Sequence, residues 1–120
     1  MSTPKKLSFM RICKSGDCLY LPVDEEGCTP FGFAMMAVKK GFAITRKGWN
    51  GKGMFVYLVP AGAYPAQTGV AKQHFGETLV PYRPYLALKT AQGDVATWAP
   101  SGSDALADDW VVLTEVPSAD

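Results

Sequence analysis

The sequence predicts an α+β fold: one main helix packed on an antiparallel sheet of about four to six strands, in an oligomeric protein. Three observations predict it. A single stretch, residues 29–42, carries apolar residues at helical spacing between a start and a stop signal. Short runs rich in β-branched and aromatic residues follow it, each bounded by Gly, Pro, Asn or Asp. One of these, "MFVYLVP" at 54–60, is apolar almost throughout, which asks for cover on both faces. One helix in a small domain covers one face, and a subunit contact is a natural cover for the other.

The elements follow in order. "KLSFMRI", 6–12, alternates apolar and polar residues and reads as a strand. "CLYLPV", 18–23, pairs back across "KSGD" as a hairpin, with Pro22 marking it as an edge. Residues 1–29 thus read as an N-terminal extension built on a hairpin, with "DEEGC" as connector. The helix comes next. Thr29 is a suitable N-cap and Pro30 suits the first helical position. Phe31, Ala34, Met35, Val38 and Phe42 form its apolar stripe, and Gly41 can take the left-handed C-cap. Met35 and Met36 cannot share one face, so one of them is expected in solvent or at a subunit contact.

"AITR", 43–46, reads as a short strand, and a glycine loop separates it from 54–60. Residues 60–84 are punctuated by Pro and Gly, yet hold Tyr64, Phe75 and Tyr82, too many aromatics for a disordered linker. They read as an ordered excursion, with a helical turn at 68–76. "PYLALKT", 84–90, and "VATWA", 95–99, form a second hairpin around Gly93. A loop at 100–110 carries a short helical turn capped by Ser101 or Ser103, with Asp104 in its first turn. "WVVLTEV", 110–116, is the last strand, and 117–120 should fray. Residues 30–116 are thus one α+β domain, a size that 120 residues with 48% hydrophobic content readily supports.

Composition excludes several functions. A net charge of +1 lacks the basic face that duplex DNA or a polybasic membrane contact needs. The N-terminus has no signal-peptide apolar stretch, and no apolar run approaches a membrane span, so a cytosolic protein is expected. Cys13, Cys18 and Cys28 are odd in number and do not have paired zinc-knuckle spacing, so reduced thiols are expected rather than a disulfide framework or a metal site.

No catalytic constellation is legible. His74 is the only histidine and nothing in the sequence supplies it with a partner. Asp104, Asp108 and Asp109 lack calcium-loop spacing and read as capping and solvation. A binding reading draws on "RKGWNGKG", 46–53. Glycines admit a phosphate close to backbone N–H groups. Arg46 can hold a pyrophosphate with two parallel hydrogen bonds, Trp49 can stack on a purine, and Asn50 can pair with an adenine edge. The bland alternative is Trp49 in the core beside an Asn50–Gly51 type I′ turn.

The longer strings "FAMMAVKKGFAITRKGWNGKGMFVYLV" and "PYLALKTAQGDVATWAPSGSDALADDWVVL" carry a distinctive order of elements. A helix ending in Lys-Gly precedes Arg-x-Gly-Trp-Asn-Gly and an apolar strand. A hairpin ending in Trp, then Ser-x-x-Asp and a closing Asp-Trp, completes it. This pattern resembles the Thoeris anti-defence protein two family of phages and prophages, over about 31–114. The resemblance implies a non-enzymatic sponge without cofactor or metal. Such a protein binds a cyclic ADP-ribose isomer (glycocyclic ADP-ribose) made by bacterial Thoeris TIR proteins, holds it uncleaved, and leaves the effector unactivated. It implies a homotetramer with pockets between subunits, acting in the cytoplasm of the infected bacterium. The resemblance implies cyclic oligonucleotides of CBASS defence as a second ligand class. By motif, Arg46, Trp49, Asn50 and Gly51 fall in the family's first block, and Trp98, Ser101, Asp104 and Trp110 in its second. Tyr82 and Arg83 are candidate pocket walls, and Trp110 is expected in the core. An oligomeric structural module with no nucleotide ligand is the alternative function.

Overall fold

The computed structural model describes residues 8–119. Lys6 and Leu7 of the expected first strand, and the terminal Asp120, lie outside the described residues. Among the described residues the architecture is α+β, with a five-stranded antiparallel sheet, two two-stranded ribbons and three helices.

The chain opens with the expected hairpin, β1 (Ser8–Lys14) and β2 (Asp17–Val23). Its turn residues Ser15 and Gly16 both have positive φ, 52° and 85°, as a two-residue hairpin turn of matching twist requires. Met10, Ile12, Leu19, Leu21 and Val23 join the main core, so the extension packs on the domain. The expectation of reduced thiols fails here for Cys13 and Cys18. The register places them directly opposite one another, and they form a disulfide. Cross-strand pairing supplied a proximity that the count of cysteines does not reveal. Cys28 is buried and free. Asp24 organises the connector by accepting hydrogen bonds from the backbone N–H groups of Glu26 and Cys28, both at 2.9 Å.

Helix α1 (Phe31–Lys39) buries Ala34, Ala37 and Val38 against the sheet, while Met36 is exposed, as the paired methionines required. Gly41 ends it with φ +97°. The expected cap is corrected by one residue. Pro30 is the N-cap and no side chain caps the helix. Thr29 instead forms a β-bridge with Trp110, its N–H donating to the Trp110 carbonyl at 2.8 Å and its carbonyl accepting at 3.2 Å. Drawn into this extended pairing, Thr29 makes no cap, and its hydroxyl is buried without a hydrogen-bond partner.

The sheet runs β8–β7–β4–β3–β9, with β3 (Ala43–Arg46), β4 (Phe55–Val59), β7 (Tyr85–Lys89), β8 (Val95–Thr97) and β9 (Trp110–Leu113). Ile44 pairs with Val56 and Val112, and Val56 with Leu88, so these residues share the face under α1. On β4 only Val56 is fully buried; Phe55, Tyr57 and Val59 are half-buried on the opposite face, which the single chain leaves open.

The excursion is ordered, as expected, and more structured than its sequence suggests. β5 (Gly62–Tyr64) and β6 (Val80–Tyr82) form a ribbon around α2 (Gly69–Phe75). Thr68 caps α2 by accepting from the Ala71 N–H at 3.1 Å. The last helix, α3 (Gly102–Leu106), starts at Ser101 with a full capping box to Asp104. Among the described residues no helix is long and apolar enough to cross a membrane.

Candidate functional site

The glycine loop is held down by two carboxylates that arrive from the far end of the chain. Arg46, at the end of β3, donates from Nη1 to Asp104 Oδ1 at 2.9 Å and from Nε to Asp109 Oδ1 at 2.8 Å. The other Asp109 oxygen accepts the Gly48 N–H at 2.8 Å, and its carbonyl accepts the Lys47 N–H at 3.1 Å. A Cβ on Gly48 would sit 2.7 Å from Asp109 Oδ2, so the close approach needs glycine. Asp104 also faces the Trp49 indole N–H at 3.4 Å, while its carbonyl accepts the Trp110 indole N–H at 2.9 Å. One carboxylate therefore closes the α3 capping box and clasps the loop at the same time.

Apolar packing completes the clasp. Trp49 lies edge-on to Trp110 at 5.3 Å and to Trp98 at 6.4 Å, and Phe31 of α1 meets Trp110 at 5.2 Å. The Arg46 guanidinium lies 5.9 Å from the Trp110 ring centre. Trp110 is fully buried, as expected, and Trp49 and Trp98 pack half-buried against the core. Electrostatics agree with the geometry. The Asp109 hydrogen bond raises the Arg46 pKa, with Asp104 adding to it against the opposing effect of burial. Burial pushes both carboxyls upward, but hydrogen bonds from Ser101 and Arg46 at Asp104, and from Arg46 and Gly48 at Asp109, hold both below their ordinary value.

The structure thus gathers Arg46, Trp49, Trp98, Ser101 and Asp104 into one cluster. Asn50 is exposed at the loop. Gly51 is wedged: a Cβ there would lie 2.5 Å from Met54 Sδ and 2.8 Å from Ala91 Cβ. Neither residue has positive φ, so Asn50–Gly51 is not a type I′ turn; Gly53, at φ +72°, makes the left-handed step. Tyr82 and Arg83 are exposed at the end of β6, where Tyr82 lines a separate cleft with Tyr64 and Tyr85. The residue that sequence reasoning underrated is Asp109. It reads as one of three solvated acids, and its signal was its fixed place before Trp110 in the closing Asp-Trp element.

A small α+β domain whose sheet carries an arginine-clasped Gly-Trp-Asn-Gly loop defines the class: a sheet scaffold presenting one loop held by internal ion pairs. Its relatives give it a family. The chain belongs to the Thoeris anti-defense 2-like domain family, whose profile matches residues 29–113. It is 35% identical over 86 residues to Thoeris anti-defense 2 of Bacillus phage SP01, covering 70% of this chain and 93% of that relative. The match includes the clasp and the excursion, and the hairpin precedes it. Membership in this family supports a role in phage anti-defence.

Proposed function

We propose that the protein is a phage anti-defence sponge that binds a cyclic ADP-ribose-type signal of the Thoeris system, glycocyclic ADP-ribose, and holds it without cleavage. The observation that carries this reading is family membership across residues 29–113. The geometry adds a division of labour. Arg46, Trp49, Ser101 and Asp104 position the loop, since their polar atoms and ring edges already have partners within the chain. Exposed Asn50 reads polar edges of the ligand beside the Gly51 backbone and Trp98, while Tyr82 and Arg83, which stand at a separate cleft of the same chain, complete the pocket from a neighbouring subunit. Self-association into a homotetramer belongs to the same proposal, and the open face of β4, with Phe55, Tyr57 and Val59 half-buried, supports it. Cyclic oligonucleotides of CBASS defence are a second ligand class for the same pocket.

Calorimetry of wild type and Asn50→Ala against glycocyclic ADP-ribose tests the proposal. Asn50 is exposed, so its loss should weaken binding about tenfold while the melting temperature stays within a degree or two. Absence of binding by wild type, with the assembly intact, favours an oligomeric structural module instead.

A further inference from the structure

The N-terminal hairpin turns two different faces to its surroundings. Met10 stands opposite Leu21 and Ile12 opposite Leu19, and this row packs on the core. The alternate row holds Phe9 opposite Pro22, Arg11 opposite Tyr20 and Cys13 opposite Cys18, and it faces away from the core. Phe9 and Tyr20 are 74% and 64% exposed, and both cysteines are exposed with them. The disulfide is therefore open to a reagent, unlike the buried Cys28 thiol. Its two sulfurs are not equivalent. Arg11 donates from Nη2 to Cys18 Sγ at 3.5 Å. A cation there stabilises negative charge on Cys18 and makes it the better leaving group.

What the bond holds lies one pair further on. Lys14 stands opposite Asp17 on either side of the Ser15–Gly16 turn. Lys14 Nζ donates to the Gly41 carbonyl at 3.1 Å and lies 5.5 Å from the Phe42 ring centre. Asp17 meets Lys40 in an ion pair at 3.6 Å. These contacts dock the tip on the C-terminal end of α1. Lys14 also walls a cavity of about 360 Å³, with Phe42, Phe55, Tyr57 and Lys89, on the open face of the sheet. Exposed contacts of this kind are weak singly, and the covalent bond between the strands keeps them together. Behind the tip, Ile12 and Leu21 are 3% and 0% exposed, so the body of the hairpin stays docked in either state of the bond. Breaking the bond frees a tip and leaves the fold in place.

We propose that Cys13–Cys18 is a thiol–disulfide exchange site for a dithiol reductant, and that its redox state sets whether the hairpin tip grips the end of α1. A thiolate of the reductant attacks Cys13 Sγ and forms a mixed disulfide. The Cys13–Cys18 bond breaks, and its electron pair leaves on Cys18 as a thiolate beside Arg11. The second thiolate of the reductant attacks the reductant sulfur in the mixed disulfide, which closes the reductant's own disulfide and releases Cys13. The two protons given up by the reductant end on the two cysteines, and two electrons have passed to the protein. Exchange with a small disulfide reverses the reaction, because the pinned hairpin keeps the two Cα atoms, 4.0 Å apart in the oxidised state, in register.

The oxidised full-length protein, treated with dithiothreitol and then iodoacetamide, tests the site by mass-spectrometric mapping of the labelled cysteines. Cys13 and Cys18 should take label together in the folded protein, and oxidised glutathione added before the label should close them again. Arg11→Ala should slow reduction roughly three- to tenfold, and Arg11→Lys should restore most of the rate. Hydrogen exchange should rise on reduction at 13–18 and 40–43 and stay constant at 55–59. A Cys13→Ser, Cys18→Ser double variant should exchange like reduced protein with or without dithiothreitol. Cysteines that stay closed until urea unfolds the chain would overturn the exchange site. Equal hydrogen exchange at the tip in both redox states would overturn the switch, and an Arg11→Ala rate equal to wild type would overturn the assigned direction of attack.

Discussion

Replacing Asp104 with alanine should do more damage than any other single change to an exposed or half-buried acid in this protein. The side chain is 13% exposed and its Arg46 partner 19%, so solvent screens their 2.9 Å ion pair only partly. A charge-assisted hydrogen bond of this kind contributes about 1.5–3 kcal/mol. The same carboxylate accepts the Ser101 N–H at 3.1 Å, the returning half of the capping box, within a capping range of about 0.5–2 kcal/mol. The Trp49 N–H at 3.4 Å is long and adds little. Arg46 keeps Asp109, which limits the penalty of an orphaned cation. The expected loss is therefore about 2–4 kcal/mol, a large share of the ~5–15 kcal/mol typical of a domain. Urea melts followed by tryptophan fluorescence are the assay, because all three tryptophans sit in the affected cluster. An Arg46→Ala, Asp104→Ala double mutant should lose clearly less than the two single losses summed. A loss below about 0.5 kcal/mol, or strict additivity in the cycle, would refute the clasp.

Three further outcomes follow from the same geometry. Asp104 and Asp109 titrate below their ordinary value in the folded protein, so their contribution is fully present above about pH 4 and lost as pH falls through their lowered values; urea midpoints should drop on acidification and recover on return. Gly51→Ala places a methyl against Met54 and Ala91 and should cost about 1–3 kcal/mol in the same melts, with no left-handed strain involved. The Cys13–Cys18 bridge closes only a short loop, so reducing it should lower stability by at most ~2 kcal/mol, while Cys28, buried and with its thiol pKa raised by burial and by Asp24, should resist alkylation until the protein unfolds.

Much of the fold was legible because local signals agree with the tertiary outcome. The helix stripe, the Ser101 cap and the strand at 43–46 rest on short-range chemistry that burial then reinforces. What was not legible depends on pairings distant in sequence. Thr29 looks like a cap until Trp110, at the far end of the domain, draws it into a bridge. Cys13 and Cys18 look like two of three odd thiols until hairpin register sets them face to face. The β5–β6 ribbon is hidden because its strands are three residues each and one contains Pro81. At the site, the loop's composition pointed to Arg46 and Trp49 as ligand-facing. The structure shows how many of their contacts lie inside the chain, which only the positions of Asp104 and Asp109 could reveal.

The central claim is that the protein takes up a Thoeris signal and returns it unchanged. Incubating it with purified glycocyclic ADP-ribose, removing unbound ligand, then denaturing the protein and analysing what is released by mass spectrometry tests this directly. The account predicts that bound ligand is recovered at its original mass, in fixed proportion to protein. Recovery of a hydrolysed product, or no uptake by the folded protein, would contradict it.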